Sequence, residues 1–162
     1  MGAVGDGAVT MGILSVGTDH LKDVSDRFGH ETGDEVLRMI GQSFANGLRR
    51  GDLAVRWGPT EFLALLPGTE AGGLQVAAER VRMLVENSWI LSGSDQVRVT
   101  VSVGATIAAL AETADDLVAR ANAFMRASQL GGCNRVTTDA GEIINTADRP
   151  ILGTAVPWAT SG

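Results

Sequence analysis

Arg56-Trp57-Gly58-Pro59-Thr60-Glu61-Phe62 is a turn held between two apolar runs. Leu53, Val55 and Trp57 alternate with other residues on the way in, and Phe62, Leu63, Leu65 and Leu66 follow on the way out. Gly-Pro-Thr between them is turn chemistry, because Gly accepts positive φ and Pro presets its own. Two strands joined by a short connection, a β-hairpin with its tip at Gly58 to Thr60, is the reading this stretch dictates.

The rest of the chain supplies strands and helices to go with it. Met11 to Val16 is short, apolar and bounded by Gly17, which predicts a buried strand. Asp19 to Phe28 is polar with apolar anchors at Leu21, Val24 and Phe28, and predicts a short helix broken at Gly29. Thr32-Gly33-Asp34-Glu35 has capping-box form, with Thr32 as N-cap and Glu35 at N3. Val36, Leu37, Ile40, Phe44 and Leu48 then recur at helical spacing, to about Arg50, with Gly51 as the stop. The hairpin strands run from Asp52 to Trp57 and from Glu61 to Leu66. A further amphipathic helix is predicted over Glu70 to Asn87, and a turn over Ser92 to Asp95. Val97, Val99, Val101 and Val103 alternate with polar residues, a period-2 strand. Thr113-x-x-Asp116 caps a last helix that ends near Gly131-Gly132, and Val136 marks a short terminal strand. The order β-α-α-β-β-α-β-α-β predicts an α/β fold, a mixed central β-sheet flanked by helices. Its bounds are residues 11–138, between an N-terminal linker over 1–10 and a C-terminal tail or linker over 139–162.

Composition narrows the function classes. The chain has 162 residues, enough for one domain with a sizeable core. The net charge of −6 argues against nonspecific binding of nucleic acid or anionic membranes, since either needs a basic face. The single Cys133 excludes an intrachain disulfide framework and fits a reducing compartment. With no apolar run near the roughly 20 residues of a membrane span, and no secretory signal, the expectation is a cytoplasmic chain without membrane insertion.

The hairpin heptad resembles the signature Arg-aromatic-Gly-Gly-Asp/Glu-Glu-Phe of GGDEF domains, the diguanylate cyclase family. Asp19-His20-Leu21-Lys22 and the run Phe28 to Leu37, with its Gly-His-x-x-Gly-Asp element, are similar to the family pattern upstream of that signature. The resemblance covers about residues 11–138. It implies a palm-like sheet of the nucleotidyl-cyclase type. In a competent member, two GTP molecules and Mg²⁺ ions held by carboxylates yield cyclic di-GMP.

Residue by residue, that chemistry is missing letters. The resemblance puts the first metal-binding Asp at Gly17 and the signature acid at Thr60, and neither can supply a carboxylate. Pro59 replaces the second Gly of the signature, filling space beside the nucleotide and removing an N–H. Ser25 stands at the guanine-binding Asn position, and Gln129 and Cys133 at a phosphate-binding Lys and a later Arg. Lys22, Asp34 and Glu61 match a phosphate-contacting Lys, a guanine-contacting Asp and the second signature acid, a vestigial GTP pocket together with Ser25. Each also has a structural reading: a solvated charge, an acid at a helix N-terminus, and an organiser of the hairpin. The implied reading is a degenerate cyclase with no catalytic residues, no cofactor and no Mg²⁺ site.

A second constellation survives. Arg49-Arg50-Gly51-Asp52 ends six residues before Gly58. An Arg-x-x-Asp at this spacing resembles the family's inhibitory site, the I-site, which binds cyclic di-GMP. Arg49 and Asp52 take its positions, and a further Arg falls on Arg80. An Arg fork matches guanine O6 and N7 or phosphate, and Asp accepts guanine N–H groups; the helix-end and strand-start placement predicts both side chains pointing outward. The structural reading of Arg49 and Arg50 is that they merely complement a helix C-terminus. The expectation is a cyclic di-GMP receptor that signals to an unidentified protein partner or a flanking receiver or sensor domain. The alternatives are a ligand-independent docking or homodimerisation module and a GTP-sensing domain. His20, His30 and Cys133 have no zinc spacing. His30 reads as structural, Trp57 and Trp89 as packing residues, and Cys133 as an inert thiol.

Overall fold

A computed structural model describes residues 10–143. Its elements are β1 (Met11–Thr18), α1 (Leu21–Phe28), α2 (His30–Asn46), β2 (Leu53–Arg56), β3 (Glu61–Pro67), α3 (Ala71–Glu86), β4 (Ile90–Ser92), β5 (Asp95–Val97), β6 (Val101–Ile107), α4 (Ala114–Leu130), β7 (Val136–Thr138) and β8 (Gly141–Ile143). Six strands form one sheet in the order β2-β3-β1-β6-β7-β8, and β4 and β5 form a separate hairpin. β1 is antiparallel to both its neighbours, β6 and β7 are parallel, and β8 folds back on β7. The mixed, helix-flanked α/β sheet expected from the sequence is the one observed.

The strand alternation assigns the two faces. Leu14, Val16, Phe62, Ala64, Leu66, Val101, Val103 and Ala105 point toward α2 and α3 and form the larger core, where the Phe44 and Phe62 rings lie 5.7 Å apart. Ile13 and Leu63 face the other way, onto Leu117 and Ala121 of α4. Gly104 lets α4 lie directly on the sheet, because a Cβ there would collide with the α4 backbone at Ala121 and Met125.

Several boundaries differ from the sequence reading. Thr32 is not an N-cap. Gly29 turns the chain at φ 97° straight from α1 into α2, and the buried Thr32 hydroxyl instead donates to the Phe28 carbonyl at 3.1 Å. α2 also stops short of Arg50. Val81 and Leu84 of α3 crowd Gly47, and Arg80 Nη1 donates to the Gly47 carbonyl at 3.0 Å, which ends the helix there. The predicted Val97–Val103 strand is broken at residues 98–100. Asp19 holds that segment, its backbone N–H donating to the Thr100 carbonyl and its carboxylate accepting from the Thr100 hydroxyl. Val97, Val99 and Val101 are buried before, within and after the break, so the period-2 burial pattern runs through it. Gly141–Ile143 adds a strand to a segment read as tail. Asp139, read as its first residue, is anchored to Thr106 and Arg120. The Thr113 cap on α4 is present, accepting from Asp116 N at 3.1 Å. The expected linker 1–10, apart from Thr10, and the tail beyond Ile143 lie outside the described residues.

Candidate functional site

The hairpin tip is built by hydrogen bonds from three directions. Trp57 N and Gly58 N both donate to the Glu61 carbonyl, at 2.9 and 3.2 Å. Arg56 curls back, donating from Nε to the Gly58 carbonyl and from Nη2 to the Pro59 carbonyl at 2.6 Å. Thr18, the last residue of β1, donates from N and Oγ1 to the Thr60 carbonyl at 3.2 and 3.0 Å. Register then sets Glu61 opposite Gly17. The positions where the resemblance asks for metal carboxylates are thus neighbours, but their side chains are a hydrogen atom and a Thr.

The space beside Gly17 is filled. A Cβ on Gly17 would meet Met125 Sδ at 2.7 Å and Gln129 Nε2 at 3.1 Å. Met125 is almost fully buried on α4. Among the described residues no group of three or more His, Cys, Asp or Glu side chains could hold a metal ion. Gly17 and Thr60 contribute no carboxylate to this tip.

The vestigial pocket residues are brought only partly together. Packing of α1 on α2 sets Ser25 Oγ where a Cβ on Gly33 would be 2.5 Å away, so Ser25 lies against the residue before Asp34. Asp34 itself is exposed on α2, Lys22 is exposed on α1, and Glu61 is half-buried under Gly58.

On the α2–α3 side, Arg49 and Arg80 open onto one cleft of about 360 Å³, lined also by Gly68, Thr69, Gly72 and Gly73. Arg49 Nη2 donates to Thr69 Oγ1 at 2.7 Å, and its side chain is 58% exposed. Asp52 departs from expectation. Its side chain is only 3% exposed and turns inward, accepting from Arg49 N at 2.8 Å while Arg49 Nε stands 3.7 Å away. It organises the turn that presents Arg49, because that turn has N–H groups no helix satisfies.

The family model "Diguanylate cyclase, GGDEF domain" matches residues 5–135. The chain belongs to the GGDEF family. Diguanylate cyclase A of Treponema denticola is 34% identical over 134 residues, covering 82% of this chain and 36% of that protein. Response regulator PleD of Caulobacter vibrioides is 34% identical over 130 residues, covering 78% of this chain and 29% of its own. The chain therefore spans about a third of the length of these curated relatives. Among solved structures, diguanylate cyclase SiaD of Pseudomonas aeruginosa, in complex with its activator SiaC, superposes with a TM-score of 0.77 at 34% identity, over 80% of this chain and 50% of that one. The GGDEF domain of DgcB from Caulobacter crescentus, in complex with c-di-GMP, gives 0.76 at 29% identity, over 80% of this chain and 78% of that one.

Within this GGDEF chain, residue-by-residue reading missed the groups that position the site. Asp19, buried at the end of β1, accepts from Thr100 Oγ1 and Ser102 Oγ at 2.7 Å each and from Asn134 N at 3.0 Å. It gathers β1, β6 and the α4–β7 loop at the tip. Arg82 is completely buried, donating from Nε to Glu79 and from Nη1 to Glu86 and Asn134. Burial opposes its charge, but Glu79 and Glu86 outweigh burial and hold the guanidinium protonated beyond its ordinary range. A run of Glu-x-x-Arg-x-x-x-Glu at helical spacing was the signal available for this cluster. At Cys133, burial and then Asp19 push the thiol up, which favours the protonated, unreactive form. His30 is an exposed first residue of α2, and Trp57 and Trp89 are about half exposed, so neither Trp is a packing residue among the described ones.

Proposed function

We propose that this GGDEF chain is a catalytically silent member that binds cyclic di-GMP through Arg49, Asp52 and Arg80 and passes the signal to a partner. The observation that carries this reading is the shared cleft. Arg49 from the α2–β2 turn and Arg80 from α3 line one cavity, together with Gly68, Thr69, Gly72, Gly73 and the acid Glu70. Each guanidinium is a planar fork of donors suited to guanine edges or phosphate. Thr69 and the Gly47 carbonyl steady the two forks without enclosing them. Asp52 holds the Arg49 turn and would have to rotate outward to take guanine N–H groups itself.

The silent half of the reading rests on the tip. Catalysis of phosphoryl transfer needs carboxylates to hold metal against the phosphates. Gly17 and Thr60 offer none, and the Met125 thioether and Gln129 amide occupy the space. The solved DgcB domain in complex with c-di-GMP supports the ligand, and the SiaD complex with SiaC supports a protein partner. A groove of about 660 Å³ continues along α3 past Arg80, lined by Val76, Met83 and Leu84. It favours the second reading, ligand-independent docking.

Calorimetric titration of cyclic di-GMP separates the two. Saturable binding is expected, reduced at least tenfold by Arg49→Ala and by Arg80→Ala, since each charged hydrogen bond contributes about 1.5–3 kcal/mol. A folded chain that ignores the dinucleotide removes the receptor reading and leaves docking.

A further inference from the structure

The strand β2 ends the sheet, and among the described residues nothing pairs with its outer edge. It is exposed along its whole length. Its cross-strand partners identify the face of each side chain. Leu53 lies opposite Leu65 and Val55 opposite Leu63, so both share the α4 side of the sheet. Trp57 continues the alternation. These three apolar side chains are 55%, 38% and 54% exposed. No charge interrupts the row. The one charged residue in the strand, Arg56, is bound to the carbonyls of its own turn. Edge strands are usually guarded by charges, Pro or bulges, and this row has none of them.

The backbone is equally ready. Trp57 N donates to the Glu61 carbonyl, which makes Trp57, and by alternation Val55 and Leu53, the residues that bond inward to β3. Ala54 and Arg56 therefore direct their N–H and C=O groups outward.

We propose that β2 pairs antiparallel with β2 of a second copy of this chain, about a two-fold axis through Val55. The pattern is self-complementary about that residue. Ala54 meets the partner's Arg56 in two hydrogen-bonded pairs, so no two Arg56 side chains face each other. Val55 meets the partner's Val55, and Leu53 meets the partner's Trp57 twice, all on one face in close non-hydrogen-bonded or flanking positions. A centre at Arg56 would set two Arg56 side chains opposite each other, and a centre at Ala54 would leave Trp57 opposite the partner's Gly51 with no apolar side chain to meet. The contact joins two sheets into one and covers the whole exposed row. Three side chains and one strand per copy make a small interface beside the roughly 1,200–2,000 Å² of stable complexes, so the dimer should dissociate on dilution.

Sedimentation of the 162-residue chain from micromolar to about 1 mM tests this. A reversible monomer–dimer equilibrium is expected. Val55→Lys puts like charges opposite each other and should weaken it at least tenfold, as should Val55→Glu. Mixing the two variants should restore a heterodimer. In a Cys133→Ser background, Val55→Cys should form an intermolecular disulfide, because opposed residues in such a pair lie about 4.5 Å apart between Cα atoms. Ala54→Cys should not. A chain that is monomeric at every concentration overturns the proposal, whether the edge is covered by residues 144–162 or reserved for another protein. A dimer that survives Val55→Lys, or that cross-links no better through Val55→Cys than through Ala54→Cys, also overturns it.

Discussion

At Gly17 a hydrogen atom stands where the family resemblance calls for the first of two metal carboxylates. The replacement is not isolated, because Met125 and Gln129 have closed over the position. Restoring the acid alone is therefore a packing problem before it is a catalytic one. Gly17→Asp should cost about 1–3 kcal/mol in chemical denaturation, from displacement of the Met125 thioether in a packed site. Met125→Ala in the same chain should recover part of the loss on that substitution by making room. A Gly17→Asp variant as stable as the parent would mean that Met125 swings aside freely, and the argument for a closed tip would fail. Asp52 teaches the same lesson in reverse. Its identity matches the I-site pattern, yet its carboxylate is turned onto the Arg49 N–H. A residue type can be read from a motif, while its direction is set by whichever backbone donor stands nearest.

The helix α3 carries both the outward Arg80 and the inward Arg82, two residues apart and on opposite faces. The burial of Arg82 is tolerable because Glu79, Glu86 and Asn134 take hydrogen bonds from its guanidinium. Arg82→Ala leaves two carboxylates facing a void. It should destabilise the chain by about 3–5 kcal/mol, as removing one partner of a buried pair does. Arg82→Met, which replaces charge with similar volume, leaves the same carboxylates and should be nearly as costly; Arg82→Met with Glu79→Leu and Glu86→Leu should recover much of it. Urea midpoints of the three variants measure the order. If Arg82→Ala proves nearly neutral, the cluster does not bind α3 to the α4–β7 loop. The expected alternation of Val97 to Val103 failed at this scale too. Valines at every second position predict burial well, and they stay buried here, but a tertiary hydrogen bond to Asp19 decides where the ladder stops.

Across the whole molecule, one ion cluster clasps the far end of the sheet. Arg120 of α4 reaches Glu112 at 2.7 Å and Asp139 at 2.8 Å, and its Nη2 also donates to the Ile107 carbonyl. The Arg120 hydrogen bond, with help from the Ala109 N–H, holds the Glu112 carboxyl below its ordinary value. The unfolded chain thus takes up the Glu112 proton at a higher pH than the folded chain. The contribution is present in full above the ordinary Glu range, near pH 4.5, and is lost as pH falls through the depressed value. The pair is partly solvated, so about 1 kcal/mol or less is at stake. Thermal melts of the parent and of Glu112→Gln should differ at neutral pH and converge as pH drops below about 4. A gap unchanged at low pH would assign the effect to packing.

The sequence by itself determined the family, the sheet with its flanking helices, and which residue types stand at the positions the resemblance compares. Those follow from local periodicity, turn chemistry at Gly58-Pro59-Thr60 and residue identity, all of which are properties of a chain read in one dimension. The helix cap at Gly29, the early end of α2 at Gly47 and the added strand β8 were decided in three dimensions, where neighbouring elements compete for the same backbone groups. So were the inward turn of Asp52, the thioether over Gly17 and the exposed row on β2. Each depends on which residue, distant in the chain, arrives beside it, and burial and hydrogen-bond partners of that kind are settled only when the elements pack.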